Sequence, residues 1–341
     1  MMAPAQLPPD SLFHLPALAR NTVRQGDPEV SVSVVTYNQV GLLGRALDSI
    51  LQQQVNFPLE IVVGDDCSTD GTKQLIEAYT VRYPSLLRPI FHNSHLPGIP
   101  GRANNMLNPM ACRGKYTALL DGDDYWTDPL KLQRQYDVME RHPTLSCCFH
   151  DTELREVDAH NQLLYIPHSR NGTGAGRRRT GFYPHEEFCL DRNIKVHTSS
   201  CFFRTGVFGD WPEGYDQVVA ADHYLFLLIT QRGPVFYDER IMSVNERQPA
   251  SLTNSAAYLA EHRIERRVRD LRTYRERFPA TNITSSYSAA AVRWLKQLCL
   301  LAIRRGELRR LCVLIGYTVR EPRGVIAVIS HWMKKQIGGR S

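Results

Sequence analysis

Between Lys115 and Trp126 the chain reads Lys-Tyr-Thr-Ala-Leu-Leu-Asp-Gly-Asp-Asp-Tyr-Trp, an apolar run that ends in three carboxylates, Asp121, Asp123 and Asp124. Carboxylates at contact distance repel and raise one another's pKa, so such a cluster at a strand end calls for a cation to offset it. Hard oxygen ligands at this spacing suit Mg²⁺ or Mn²⁺ shared with the phosphates of a substrate. The competing reading is a solvated turn into a helix begun by Asp128-Pro129, since Asp and Gly favour turns for local reasons. Two large aromatics, Tyr125 and Trp126, gain little in a plain turn of that kind. Two other acidic segments accompany the first. The loop Gly64-Asp65-Asp66-Cys67-Ser68-Thr69-Asp70-Gly71 holds more acids and hydroxyls than the single residue a helix cap needs. A carboxylate there can accept from a base's ring N–H or a ribose hydroxyl. Asp222 follows Ala220 and Ala221, which leave room for an acceptor to approach; it also suits the first turn of a helix for dipole reasons alone. His223 has no partner His at metal-ligand spacing and is expected to pack or to support a neighbour.

The elements that must position these groups are legible as apolar runs. Val30 to Val35 reads as a strand stopped by Thr36-Tyr37-Asn38, and Val40 to Gln54 as a helix with Leu43, Leu47 and Ile50 on one face. Leu59 to Val63 is a second strand and Thr72 to Tyr83 a second helix, stopped by Pro84. Leu87 to Phe91 is a third strand, followed by a Gly/Pro/Asn-rich loop to Arg102, a helix near Asn104 to Cys112 and the strand Tyr116 to Leu120. Beyond Trp126 come a helix over Lys131 to Arg141, strands at Leu145 to His150, Ser199 to Phe203 and Val235 to Tyr237, and a helix over Ala221 to Thr230. A basic loop runs from His168 to Gly181. Apolar strands alternating with helices predict an α/β fold with a mainly parallel sheet covered on both faces, its ligand crevice beyond the strands' carboxyl ends. Every acidic segment of the first half lies at such an end.

Composition narrows the setting. Apolar residues make up 43% and charged residues 22%, as in ordinary globular chains. The eight cysteines form no CxxC pair, which argues against a zinc site or a disulfide framework and for a reducing cytosol. The Pro-rich start has no signal-peptide pattern, and no run approaches the roughly 20 apolar residues of a membrane span. The net charge of +6 is uneven: residues 285–341 hold eleven Lys and Arg against two acids, and the remainder is net −3. In that tail Trp294, Leu295, Leu298 and Leu301 share a helical face. This pattern fits an in-plane helix at the inner face of the cell membrane, and equally a helical bundle packed on the catalytic domain. No aromatic–basic interleaving points to nucleic acid. The sequons at Asn171 and Asn282 are accidental in a cytosolic chain. Asp121-Gly-Asp123 lacks the Thr or Val that an Asp-based phosphatase places two positions after its second Asp.

Three segments in order, Val-Ser-Val-Val-Thr-Tyr-Asn (32–38), Val-Val-Gly-Asp-Asp-Cys-Ser-Thr-Asp-Gly-Thr (62–72) and Arg-Gly-Lys-Tyr-Thr-Ala-Leu-Leu-Asp-Gly-Asp-Asp-Tyr-Trp (113–126), resemble the inverting GT-A glycosyltransferases of the bacterial family 2 type. Ala221-Asp222-His223 resembles that family's acid-containing helix start. Val244 to Ser251 resembles its Tyr-Arg-x-His stretch, with Asn245 in place of Tyr and Gln248 in place of His. The resemblance implies a Rossmann-like GT-A domain over 29–252, a loose leader over 1–28 and a basic helical C-terminal region over 253–341. It implies transfer of a sugar from a nucleotide-diphosphate donor, a UDP-sugar, to a hydroxyl of a glycan or lipid-linked acceptor in cell-surface polysaccharide or lipopolysaccharide synthesis. Thr36, Tyr37, Asn38 and Asp66 would hold the nucleotide base, Asp65 would bind the nucleotide beside them, Asp123 the ribose, and Arg102 or Asn105 other parts of the donor. Asp124, with Asp123, would bind the Mg²⁺ or Mn²⁺, and Asp121 would serve local structure. Asp222 would be the catalytic base, with Thr198, Ser199 and Arg247 on the acceptor side. The alternative from another class is a non-catalytic protein that binds nucleotide sugars or partners at a membrane surface.

Overall fold

In the computed structural model, residues 26–92, 102–157, 163–167, 179–185, 196–207, 212–215, 218, 221–246, 273 and 276–278 are described. The chain divides into two compact units, Met1–Pro212 with Ala221–Gln248, and Glu213–Ala220 with Pro249–Ser341. The boundaries expected after residues 28 and 252 fall beside or within stretches outside the described residues. The expected helices of the C-terminal region, including 285–341, lie outside the described residues. Among the described residues no helix is long and apolar enough to cross a membrane.

The first unit is built on one sheet. Its strands are β1 (Val30–Thr36), β2 (Leu59–Asp65), β3 (Leu87–Phe91), β4 (Tyr116–Asp121), β5 (Tyr125–Trp126), β6 (Cys147–Val157), β7 (Leu163–Pro167), β8 (Gly181–Tyr183), β9 (Phe202–Arg204) and β10 (Val235–Glu246). The order across the sheet is β3-β2-β1-β4-β9-β6-β10-β5, with β7 on β6 and β8 on β10. The first four strands are parallel, as expected. The other half is mixed: β9 runs antiparallel to both β4 and β6, β10 is parallel to β6, and β5, β7 and β8 pair antiparallel. An apolar run buried on both faces reads alike in either direction, so patterning leaves strand polarity open. Where a strand was expected from Ser199, a 3₁₀ turn over Thr198–Ser200 precedes the short β9.

Register brings the polar ends together. Thr36 on β1 lies opposite Asp65 on β2, and Val35 lies opposite Asp121 on β4. The helices α1 (Leu43–Leu51), α2 (Thr72–Arg82), α3 (Arg102–Met110), α4 (Lys131–Arg141) and α5 (Ala221–Thr230) flank this sheet. Helix α1 buries Leu43, Ala46, Leu47 and Ile50, which share one face at the helical repeat. They meet the inward valines of β1 and β2 in one core with Tyr116, Trp126 and Phe202.

Helix α3 attaches by polar contacts. Asn108 Nδ2 lies 2.8 Å from Ser33 Oγ and 3.0 Å from both the Val34 and Val62 carbonyls, and Asn104 Nδ2 donates to the Gly64 carbonyl at 2.8 Å. A Cβ on Gly64 would collide with Asn104 Oδ1 and come within 2.8 Å of Asn108 Oδ1, so glycine is what lets the helix approach β2. Replacing the fully buried Asn108 by Ala removes these bonds inside a closed contact. Denaturant unfolding should register a loss of about 1–3 kcal/mol for N108A; an unchanged midpoint would make the asparagine dispensable to docking.

Candidate active site

Two loops at the carboxyl ends of β1 and β2 are tied to each other. Asn38 adopts a left-handed backbone with φ 52°. Its N–H donates to Ser68 Oγ at 2.8 Å, and its Oδ1 accepts from the Thr69 N–H at 2.8 Å. Asp70 accepts from the Thr72 N–H and from the Val40 N–H, so it both caps α2 and holds the first loop. Both oxygens of Asp65 accept from Ser68, one from its N–H and one from its hydroxyl. Asp65, expected at the nucleotide, is thus turned to its own loop, because Ser68 lies one turn ahead of it. Asp66 is fully buried with its N–H donating to the Thr36 carbonyl at 3.2 Å. Tyr37 is half-buried beside these groups.

The turn after β4 lies against the first loop. A Cβ on Gly122 would collide with Gln39 Oε1 and approach the Val35 carbonyl to 3.0 Å. Gln39 also bonds Asp123 and accepts from the Thr36 hydroxyl at 2.8 Å. This contact directs Asp123 toward the loops of β1 and β2, while Asp124 turns inward.

Asp124 is fully buried. Its Oδ1 accepts from Asn245 Nδ2 at 2.9 Å, and its Oδ2 accepts from the Ser199 hydroxyl and lies 3.1 Å from His197 Nδ1. The ligand atoms of Asp121, Asp124 and His197 lie within 4.8 Å of one another. Two carboxylates and an imidazole at this separation fit a divalent cation. Of the two ions expected, the imidazole favours Mn²⁺, because Mg²⁺ takes oxygen ligands more exclusively. Asp121 and His197 enter this group although the sequence reading assigns them no ligand role. Asp123, expected as a ligand, is not among the three.

Burial, then the charge of Asp124, pushes Asp121 up to about 8 and Asp123 up to about 6. Burial pulls the His197 imidazole down, but Asp124, Asp121 and Asp222 outweigh it and raise the ring to about 9. His197 Nδ1 lies between the Asp124 carboxylate and the Ser199 N–H, from which it accepts at 3.3 Å, and a cation entering the group takes the place of protons.

The remaining expected residues fall as follows. Asp222 is exposed in the first turn of α5 and lines a small cleft with Asn105, Asp121, Thr198 and Leu225. Thr198 thus faces the same space as Asp222. Ser199, expected on the acceptor side, is fully buried with its hydroxyl on Asp124, so it supports the carboxylate instead. Arg102 opens α3, and Arg247 lies outside the described residues. His197 and Asn245 were the residues missed as groups around Asp124. The sequence signals were a histidine leading the Thr-Ser-Ser turn and an amide where the resembling stretch has Tyr.

Residues 31–209 match the model of glycosyl transferase family 2. The chain belongs to that family. An uncharacterized protein of Mycobacterium tuberculosis is 33% identical over 227 residues, which are 67% of this chain and 61% of the relative. The chain therefore spans about three fifths of that relative's length. The poly(ribitol-phosphate) beta-N-acetylglucosaminyltransferase TarS of Staphylococcus aureus is 37% identical over 98 residues, 28% of this chain and 16% of its own. The crystal structure of TarS 1–349 in complex with UDP-GlcNAc aligns with a TM-score of 0.54 at 16% identity, covering 84% of this chain and 90% of that one. The shared architecture is the GT-A fold.

The raised groups fix a pH dependence. A group whose folded pKa exceeds its unfolded value contributes stability below the unfolded value and loses it as pH rises through the folded one. Asp121 is raised from 3.8 to about 8 and His197 from 6.5 to about 9, so their effects have the same sign. With chelator present, the melting temperature should fall as pH rises from about 6.5 to 9, and D121N should make the fall shallower. A melting temperature that climbs over that window would contradict the assignment.

Proposed function

We propose that the protein transfers a sugar, with inversion, from a UDP-sugar to a hydroxyl of a glycan or lipid-linked acceptor used in cell-surface polysaccharide or lipopolysaccharide synthesis. The observation that carries this reading is the convergence of Asp121, Asp124 and His197 beside the cleft that Asp222 and Thr198 line. Membership of family 2 supports the reaction class. The donor class draws on the 98-residue match to TarS, a protein whose structure is solved with UDP-GlcNAc.

In this reading Thr36, Tyr37, Asn38 and Asp66 receive the base, with Asp65 holding their loop, and Asp123 reaches the ribose. Asp121, Asp124 and His197 would hold Mn²⁺ or Mg²⁺, which would supply Lewis-acid neutralisation of charge on a diphosphate leaving group. Arg102 and Asn105, on the helix beside the cleft, contact the donor, and Arg247 lies with Thr198 on the acceptor side. Asp222 accepts the proton of the acceptor hydroxyl as its oxygen bonds to the anomeric carbon. The bond from that carbon to the diphosphate breaks on the opposite face, so one displacement inverts the centre. An exposed carboxylate in the first turn of α5 is within reach of an incoming acceptor hydroxyl.

Asp222→Asn should lower turnover by roughly 10²–10⁴-fold while UDP-sugar binding stays near the wild-type value, because only proton acceptance is lost. Wild-type turnover in that variant removes Asp222 from the mechanism. Chelator should stop transfer and Mn²⁺ or Mg²⁺ restore it; full activity in chelator defeats the cation reading. The basic segment 285–341 supports a contact with the inner membrane face. The full-length protein should then sediment with anionic liposomes and come off in high salt. A protein left in the supernatant at low salt has no such contact.

A further inference from the structure

Lys131 is a buried amine that opens α4 with no exposed surface, and among the described residues its Nζ has no hydrogen-bond partner. What the amine does have is the face of Trp126, whose ring centroid lies 3.8 Å away. Among the described residues, the titratable groups that face it are Cys148 and His150 of β6 and Cys201 ahead of β9. Burial pushes both thiols well up and holds His150 well down, so all three are neutral near pH 7 and offer no counter-charge. A desolvated ammonium without an acceptor is unfavourable, and an unbranched apolar side chain of similar length would fill the same volume. Packing alone therefore does not account for lysine here, whereas attraction to the indole face does.

Trp126 in turn is bonded on two sides. Its Nε1 donates to the Ser199 carbonyl at 2.9 Å, and its backbone N–H donates to Ser49 Oγ at 3.0 Å. One helical turn after Lys131, Gln135 Nε2 donates to the Ser200 carbonyl at 2.9 Å. The buried face of α4 thus holds two successive carbonyls of the 198–200 turn, one directly and one through the indole. That turn presents the Ser199 hydroxyl to Asp124 and begins at His197, its N-terminal cap.

We infer that Lys131 is a positioning residue: pressed against the face of Trp126, its amine fixes the indole and, through it, the turn that sets His197 and Ser199 around Asp124. The inference rests on the reading of Asp121, Asp124 and His197 as a cation centre for its consequence, but the contact itself can be tested without the ion. Burial brings the Lys131 amine down to about 7, so the charge over the indole changes within an accessible pH range.

The test compares full-length wild type with K131M, which replaces the amine by an apolar side chain of similar size. The wild type should show a tryptophan emission change with a midpoint near pH 7 that K131M lacks. Hydrogen exchange in the peptide spanning 196–204 should quicken in K131M while the strands β1 and β2 keep their protection. Mn²⁺ binding, followed by electron paramagnetic resonance, should weaken by about tenfold, the usual effect of removing a group that orients a metal ligand. K131R, which keeps a cation over the ring, should recover part of that affinity. Wild-type exchange in 196–204 together with wild-type Mn²⁺ affinity in K131M overturns the proposal and leaves Lys131 as filler. Faster exchange in K131M with no Mn²⁺ binding by either protein upholds the positioning role and defeats the cation reading instead. Should K131M not fold, W126F tests the same link from the other end: it removes the Ser199 bond, and unchanged exchange and affinity there overturn the proposal equally.

Discussion

The repulsion among Asp121, Asp123 and Asp124 is the constraint around which the first unit is arranged. Three carboxylates end one strand, and the charge of Asp124 raises the proton affinity of Asp121 and Asp123. The fold separates them by direction. Asp123 goes toward Gln39 and the loops of β1 and β2, and Asp124 goes inward to Ser199, Asn245 and His197. Asp121 stays between them at the strand end. Gly122 makes the split possible, because a side chain at that position would push the turn off Val35 and Gln39.

The two halves of the sheet contribute differently to this arrangement. The parallel half supplies a rigid edge, since β1, β2 and β4 are buried along their length and in register at their polar ends. The mixed half supplies the groups that answer the charge. His197 and Ser199 come from the turn before β9, Asn245 from β10, and β10 is brought to the site by its antiparallel pairing with β5 directly after Asp124. Helix α4 underlies this second half with Lys131 and Gln135 at the back of the same turn.

Much of the first half was legible because doubly buried strands are unmistakable apolar runs and their ends are polar. Helix α5 over 221–230, with Asp222 in its first turn, was likewise readable. Other features were not, for physical reasons. The two residues of β5 and three of β8 are too short to carry a period, and the direction of β9 leaves no trace in composition. Which of three neighbouring aspartates turns inward is decided by the turn geometry at Gly122, not by residue type. Asp65 and Ser199 were expected at the substrates, and each is instead engaged by a partner that only the folded backbone brings near, Ser68 and Asp124. Asn245 stood out as a departure from a family pattern, yet its contact with Asp124 spans 121 positions of sequence and depends on strand pairing.

That long separation bears on how the chain emerges from the ribosome. The β1-β2-β3-β4 layer with its helices lies within residues 30–121 and is synthesised before the rest of the site. Asp124 is then already made, but Ser199, His197 and Asn245 are not. Some 120 further residues must be translated before the end of β4 can gain its Asn245 partner through the pairing of β10 with β5. A nascent chain released before Asn245 carries the acidic motif without the amide that bonds Asp124 Oδ1.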